Sequence, residues 1–229
     1  GISGRFFSDS RFRKAFNFLI QKEFDRVNLT FKNPSMIRRE AQVYLPFQAG
    51  HLDNEFIEKQ ICEGSKFVEE LINQSKLHPL RVFTIEGRQW VIDLIKKAGV
   101  EVATDSKALT REEVIEAYYK TNAPDILVMA FSLSGNDPDN IYHALGKSGA
   151  IASKMTVRPK VQELLETGRE ITDLQKLDQH YKNVSLAILE EVPFVHLGFS
   201  KAFSMYRSDK IKTKNNIVRR NFGHLNIYE

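Results

Sequence analysis

The sequence contains one cysteine, Cys62, and no hydrophobic run long enough to cross a membrane. A single cysteine excludes a disulfide framework within the chain and a cysteine-based zinc site, so we expect Cys62 to be a small core residue of a helix. No segment approaches the roughly 20 apolar residues of a transmembrane helix, and residues 1–5 do not begin a signal peptide. We expect this abrupt start to be a cut end, so the missing signal says nothing about secretion.

Neither sign of charge dominates the sequence. The 33 basic and 29 acidic residues leave a formal net charge of +4 over 229 residues, which favours no particular class of partner. Basic residues are frequent in residues 201–220, but few aromatic residues lie between them, so we expect a solvated surface and no nucleic-acid binding. A hydrophobic content of 42% and a charged content of 27% are typical of a soluble globular protein with a substantial core.

Motifs for catalysis and for metal or phosphate binding are absent as well. The six histidines lack the i, i+4 spacing of a zinc-binding helix. Gly146-Lys147-Ser148 resembles the end of a P-loop, but Ile141 stands where that motif needs a glycine, and residues 198–202 lack the second glycine of a nucleophile elbow. The sequence therefore predicts no catalytic residue, no metal, no cofactor and no enzymatic activity. An α/β enzyme of unfamiliar type stays an alternative.

The middle of the chain alternates between strand and helix patterns. Residues 79–85, 100–104 and 125–131 are predicted strands, and residues 87–98 and 110–120 are predicted helices. Gly99 is placed to end the first helix, and Thr110 with Glu113 forms a capping box at the start of the second. Strands that alternate with helices form parallel βαβ units, so the pattern predicts an α/β fold with a mixed sheet flanked by helices.

The segments on either side are mainly helical. Further helices are predicted in residues 11–25, 54–77, 159–166 and 173–190, a further strand in residues 192–199, and irregular structure in residues 28–54. In the first of these helices an apolar stripe runs through Phe16, while Arg13 and Gln21 are expected to face away from it. Gly64 is expected to bend or break the second helix.

The other elements are arranged around residues 125–142. Ile126 to Phe131 is an unbroken apolar run, which predicts a strand buried on both faces. A polar turn through Ser134 follows, and Asp137 is then expected to cap a helix whose first residue is Pro138. Open α/β sheets bind ligands at the carboxyl ends of their strands, so we expect this turn to line a ligand crevice. A tight connection with no ligand is the alternative.

Several motifs resemble those of family 5 extracellular solute-binding proteins, the oligopeptide, dipeptide and nickel receptors of ABC importers. Residues 137–140 (Asp-Pro-Asp-Asn), between the buried strand and an apolar helix, are similar to that family's ligand loop. Residues 7–25 are similar to the helix that begins its second lobe, and residues 97–100 (Lys-Ala-Gly-Val) to the end of one of its helices. The paired helices and strand that begin at Pro159 also match, so the resemblance covers nearly the whole chain in order.

The resemblance implies a type II periplasmic-binding-protein-like fold, of which this chain would be the C-terminal lobe. Residues 1–200 would form this ligand-binding lobe, and residues 201–229 a tail that returns toward the missing N-terminal lobe. The whole protein would be periplasmic or extracellular and would deliver a peptide-like or other small solute to an ABC transporter permease. A solute-sensing domain of a transcription regulator with the same fold is the alternative, which the sequence before residue 1 would distinguish.

The resemblance also implies which residues bind the ligand. Phe131 and Tyr142 would form an apolar wall, while Ser132, Ser134 and Asn136 would offer hydrogen bonds. In peptide receptors an acid three positions after the aromatic residue pairs with the peptide α-ammonium, and Ser134 occupies that position here. Because an unpaired ammonium is costly to bury, either the ligand is not a free peptide, or Asp137 or an acid of the missing lobe takes over. Asp137 would carry that charge or act only as a helix cap.

Overall fold

A computed structural model describes residues 7–28, 37–119, 124–129, 137–147, 149 and 159–200. The helices in these ranges are α1 (Ser10–Asn28), α2 (Asn54–Cys62), α3 (Val68–Leu77), α4 (Trp90–Lys97), α5 (Arg111–Tyr119), α6 (Tyr142–Leu145), α7 (Pro159–Gly168) and α8 (Leu174–Glu191). The strands are β1 (Ile37–Arg39), β2 (Val82–Ile85), β3 (Lys107–Leu109), β4 (Ile126–Val128) and β5 (Gly198–Ser200). A short 3-10 helix, Glu63–Phe67, separates α2 from α3, so the helix predicted over residues 54–77 breaks at Gly64 as expected.

The central sheet has the strand order β3-β2-β4, and both pairs are parallel. The helix α4 connects β2 to β3, and α5 connects β3 to β4, so the predicted βαβ units are confirmed. The second connection runs back past β2, and right-handed crossovers then place α4 and α5 on opposite faces of the sheet. In the described part of the chain, β1 and β5 form a separate antiparallel pair.

Side chains alternate between the two faces of the central sheet. Val82 and Ile126 belong to a core cluster with α1, α3 and α4 on one face. Phe83 and Leu127 belong to a second cluster on the other face, which includes α7 and α8. Ile126 and Leu127 expose only 5% and 7% of their surface, so burial on both faces is confirmed for these two residues. The strand itself ends at Val128, which is half-buried, and residues 130 and 131 of the predicted strand lie outside the described residues.

The strand predicted at residues 100–104 is wrong in its position. Within this segment, only Val102 forms a strand bridge, and its partner is Leu80, which precedes β2. The strand itself, β3, begins at Lys107, after a turn closed by the Ser106 amide. The Ser106 hydroxyl takes part in the interrupted ladder, since Oγ accepts the Val82 amide at 2.9 Å. A side-chain oxygen of Ser106 thus takes the place of a backbone acceptor. The sequence of β3, Lys-Ala-Leu, does not alternate between polar and apolar residues, so its pattern does not indicate a strand.

The strand predicted at residues 192–199 is shorter than expected. Val192 ends α8 in a left-handed conformation, with φ 46°, and its amide bonds the Ile188 carbonyl at 2.8 Å. The chain then stays irregular until β5. The partner of β5 is β1, with Arg38 opposite Phe199, so part of the segment expected to be irregular is a strand.

Three expectations about side-chain exposure are wrong. Arg13 and Gln21 are buried, with 0% and 2% of their surface exposed. Arg13 donates to the Glu191 carbonyl at 2.7 Å, and Gln21 donates to the His196 carbonyl at 2.7 Å. Both side chains therefore join α1 to the end of α8 and the segment before β5, a contact that the pattern of α1 alone does not show. Cys62 is the exposed last residue of α2 and not a core residue.

Candidate functional site

The carboxyl edge of the central sheet is the first part of the candidate site. From β2 the chain crosses to β3 on one side of β2, and it later crosses back to β4 on the other side. The direction of winding therefore reverses between β2 and β4. Ligands of open α/β sheets bind in the crevice at such a switch point. The segment that leaves β4 there is the predicted ligand loop. The turn after β2 lies at the same edge, because β2 and β4 are neighbouring parallel strands, and it carries the exposed Glu86.

Four of the six predicted ligand-binding residues, Phe131, Ser132, Ser134 and Asn136, lie outside the described residues. Asp137 and Tyr142 are described, and they flank the 3-10 turn Pro138–Ile141 that follows the loop. Their contacts within the lobe are observed, while their contact with a ligand stays a prediction.

Asp137 is the N-cap of this turn. Its backbone is extended, its Oδ1 accepts the Asp139 amide at 2.9 Å, and Pro138 occupies the first position of the turn. The Asn140 side chain donates to the Asp137 carbonyl oxygen at 2.8 Å. The cap expected from the sequence is therefore present, although the turn continues into α6 only after one 3-10 segment. Asp137 is exposed, and its second carboxylate oxygen has no hydrogen-bond partner among the described residues.

Asp139 connects the turn to the α7–α8 pair. Its Oδ1 accepts a hydrogen bond from the Tyr181 hydroxyl of α8 at 3.1 Å. Its Oδ2 lies 3.4 Å from Nε of Arg169, which follows α7. Both partners lie at least 30 positions further along the chain, so no local pattern around Asp139 indicates them.

The Tyr142 side chain makes two contacts with the region around α7, one through the face of its ring and one through its hydroxyl. The Arg169 guanidinium lies 4.4 Å from the centre of the Tyr142 ring, within the range of a cation–π contact. The Tyr142 hydroxyl donates to the Glu166 carboxylate of α7, with distances of 3.0 and 3.2 Å to its two oxygens. One face of the ring is therefore covered, so an apolar contact with a ligand would use the other face or the edge.

The segment before α2 supports the same turn. The buried Tyr44 hydroxyl donates to the Pro138 carbonyl oxygen at 3.2 Å, and its ring meets that of Tyr181 edge to face at 6.0 Å. Gly50 lies against the Tyr44 ring and the Tyr181 Cβ with φ +89°, and a Cβ added there would come within 2.8 Å of each tyrosine side chain. Glycine is needed at this position for both reasons. We refer to the joined residues as the Asp139 cluster: Tyr44, Asp139, Tyr142, Glu166, Arg169 and Tyr181.

Burial raises the pKa of three members of this cluster, Asp139, Tyr181 and Tyr44. Burial raises the pKa of the Asp139 carboxyl, although the Tyr181 hydrogen bond and the Arg169 charge act in the opposite direction. The charge of Asp137 adds to the increase. Burial also raises the pKa of Tyr181 and of Tyr44, and the negative charge of Asp139 contributes in both cases. Both tyrosines therefore stay protonated near neutral pH, where they donate the hydrogen bonds described above.

A cavity elsewhere in the lobe is a weaker candidate. It lies between α1, α8 and the segment after β1, and its polar lining includes Asn17, Gln42 and His196. Its volume of about 20 Å³ has room for about one water molecule, too little for a solute. Within the described ranges, no group of three or more His, Cys, Asp or Glu residues is arranged to hold a metal ion.

No protein-family model and no curated protein matches the sequence, whereas solved structures do. The periplasmic binding protein DppA from Helicobacter pylori, in complex with peptide STSA, is 16% identical, with a TM-score of 0.64 over 86% of this chain and 40% of its own. The Escherichia coli murein tripeptide binding protein MppA is 16% identical, with a TM-score of 0.65 over 83% of this chain and 39% of its own. This chain has the fold of part of a periplasmic binding protein. The oligopeptide-binding protein AppA from Bacillus subtilis, in complex with a nonapeptide, matches with 16% identity and a TM-score of 0.61 over 86% of this chain and 43% of its own.

The resemblance found in the sequence is thus confirmed as a resemblance of fold, and the α/β class is confirmed with it. The chain spans about 40% of the length of the structures it matches, which is the share expected of one lobe. The division into a lobe of residues 1–200 and a tail of residues 201–229 stays a prediction, since the tail lies outside the described residues. Across the described helices, none combines the length and the apolar character needed to span a membrane.

No sequence signal marks Tyr44, Glu166, Arg169 or Tyr181 as part of this site. Each lies far along the chain from the Asp137 turn, and none belongs to a recognisable motif. Tyr181 lies on the buried face of α8 with Val184 and Ile188, so its helical spacing indicates burial. A buried tyrosine needs a hydrogen-bond partner, but the sequence does not say that this partner is Asp139.

Proposed function

We propose that this chain is the ligand-binding lobe of an extracytoplasmic solute-binding protein, which delivers a peptide-like or other small solute to an ABC transporter. The match of fold to periplasmic binding proteins over 86% of the chain is the observation that carries the proposal. The protein would be periplasmic or extracellular, and its partners would be the solute, the permease and an N-terminal lobe.

The proposed mechanism is closure of two lobes around the ligand, and it involves no catalytic step. This lobe would contribute the loop after β4, with Phe131, Ser132, Ser134 and Asn136, and the adjoining Asp137 and Tyr142. The switch point between β2 and β4 supports this assignment, because ligands of open α/β sheets bind beyond the carboxyl ends of the strands at such a point.

A peptide-like ligand is supported by the complexes of the matching structures with the peptide STSA and with a nonapeptide. The uncharged Ser134 would not pair with a peptide ammonium, so another carboxylate must do so if the ligand is a free peptide. Asp137, which follows the loop after β4, and Glu86, which follows β2, are both described and exposed. No ion pair of either is present among the described residues. Asp137 is the better placed, since it directly follows the loop.

Native mass spectrometry of the full-length protein with a library of tripeptides to pentapeptides tests the proposal. We expect a subset of the library to bind at a ratio of one to one, and we expect the isolated 229-residue chain to bind the same peptides far more weakly, because half of the crevice wall is absent. Tight binding by the isolated chain would contradict the two-lobe mechanism. Binding of operator DNA by the full-length protein would instead support a sensing domain of a regulator, and turnover of a bound compound would support an enzyme.

A further inference from the structure

Three separate parts of the chain converge on the turn that contains Asp139. Tyr44 comes from the segment before α2, Arg169 from the connection after α7, and Tyr181 from the middle of α8. Within the described residues, the turn is held through its backbone at Pro138 and through its side chain at Asp139, and Arg169 also contacts Tyr142, which follows the turn. A surface turn of this length does not need three long-range supports to form, because the Asp137 cap and Pro138 already favour it locally.

We propose that Tyr181 and Arg169 are positioning residues, which act through Asp139 to hold Asp137 and Tyr142 at the edge of the ligand crevice. This inference rests on the proposed function. The chain of contacts is short, because the Asp139 amide bonds the Asp137 carboxylate while the Asp139 carboxylate bonds Tyr181 and Arg169. Arg169 also reaches Tyr142 directly through its ring. Loss of the Asp139 side-chain contacts would therefore loosen the backbone that donates to Asp137, and would free Arg169 from one of the two groups that place it beside Tyr142.

Stability alone does not account for a carboxylate at position 139. Its pKa is raised, mainly by burial, so the folded state disfavours the charged form relative to the unfolded chain. The sign follows from linkage. Because the carboxyl has the higher pKa in the folded state, its protonated form stabilises the fold at pH values below the pKa of the unfolded chain. This stabilisation is lost as the pH rises through the pKa of the folded state. At neutral pH an asparagine would avoid this cost, while it would no longer offer a negative charge to Arg169.

Hydrogen exchange of the full-length protein, followed by mass spectrometry, tests the inference. The variants Tyr181→Phe and Arg169→Gln remove one contact to Asp139 each, and Tyr181→Phe keeps the ring against Tyr44. We expect each variant to raise the exchange rate of amides in residues 137–145 by about fivefold, as the loss of one hydrogen bond implies. Peptides from residues 107–119 serve as the internal reference. Lys160→Ala is the matched control, because it removes the exposed 3.1 Å ion pair with Glu190 between the same two helices, α7 and α8, and neither residue belongs to the cluster.

Binding of the peptide STSA and thermal unfolding, measured on the same variants, separate positioning from structural support. We expect Tyr181→Phe, Arg169→Gln and Asp139→Asn to weaken STSA binding at least about fivefold, with Asp139→Asn unfolding at the same temperature as the wild type or higher. Arg169→Lys, which keeps the charge, should recover part of the affinity. Loss of affinity only in proportion to loss of unfolding temperature would overturn the inference.

The two readouts also separate this inference from the proposed function. If the wild type does not bind STSA, the proposed function loses support, and the exchange of residues 137–145 decides the inference alone. Unchanged exchange in Tyr181→Phe and Arg169→Gln would overturn the positioning role whatever the peptide result. Raised exchange with STSA affinity equal to that of the wild type would also overturn it, because the turn would then move without consequence for the crevice.

Discussion

Arg13 provides a direct test of how the first helix is joined to the last. Its side chain is 0% exposed. Nε donates to the Glu191 carbonyl at 2.7 Å, and Nη1 donates to the carbonyls of Phe7 at 2.6 Å and Ser8 at 3.1 Å. The Glu191 carbonyl lies at the C-terminal end of α8, where the helix dipole is negative and favours a positive charge. Residues 178 positions apart in sequence are thus held together by one guanidinium.

We expect Arg13→Met to lower the free energy of unfolding by about 3–5 kcal/mol. Each hydrogen bond to a charged donor contributes about 1.5–3 kcal/mol, and the substitution leaves buried carbonyls without this donor. The loss is smaller than the sum over the three hydrogen bonds, because methionine restores apolar contacts and removes the desolvation cost of the buried charge. A loss of this size is a large part of the 5–15 kcal/mol, roughly, that stabilises a typical domain.

Urea unfolding of the 229-residue chain, followed by far-UV circular dichroism, measures this loss. Arg11→Met is the matched control on the same helix, since the Arg11 side chain is 52% exposed and pairs with Asp9 at 2.7 Å. An exposed ion pair contributes at most about 1 kcal/mol, so the control should change stability little. If Arg13→Met were no more destabilising than Arg11→Met, the reasoning from buried hydrogen bonds would be refuted.

Two further predictions concern packing and pH. Gly64→Ala should cost about 1–3 kcal/mol in thermal unfolding, because a Cβ there would overlap the backbone carbonyl of Lys14 in α1. Gly87→Ala, whose Cβ would meet nothing within 4 Å, should cost only its backbone strain at φ +78°, and an equal cost for both variants would contradict the packing argument. Burial lowers the pKa of the partly buried His196, although its hydrogen bond to the Glu40 carbonyl oxygen acts the other way. The wild type should therefore lose stability as the pH falls from about 6.5 toward this lowered pKa, since the unfolded chain binds the proton first. Urea unfolding at a series of pH values should show a weaker dependence for His196→Gln, and an unchanged slope would exclude His196 as the cause.

Signals between near neighbours in sequence predicted many of the described elements. Thr110 and Glu113 exchange the two hydrogen bonds of a capping box, at 2.8 and 3.3 Å. Gly99 follows α4 with φ +86°, and Asp173 caps α8. The apolar run through Ile126 predicted a strand with both faces buried. In each case the residues that decide the structure lie within about one helical turn or one strand, so the sequence shows them together.

Contacts between distant segments explain the predictions that were wrong. An arginine on an amphipathic helix is usually exposed, and only the arrival of α8 buries Arg13. The strand β3 depends on Ser106, whose hydroxyl bonds the amide of Val82 from 24 positions away. The strand β1 is short and polar, and it exists because β5 pairs with it. Such features become visible only when the packing of the elements is known.

The turn after β4 depends both on local sequence signals and on contacts between distant segments. Asp137 and Asp139 are the same residue type and stand two positions apart, yet they have different roles. The neighbouring Pro138 and the Asp139 amide decide that Asp137 is a cap, so its role can be predicted from the sequence. Tyr181, 42 positions away, and Arg169 decide the role of Asp139. A crevice at a switch point joins segments from separate strands and helices, so motifs can indicate where it lies, whereas the side chains that hold it depend on tertiary packing.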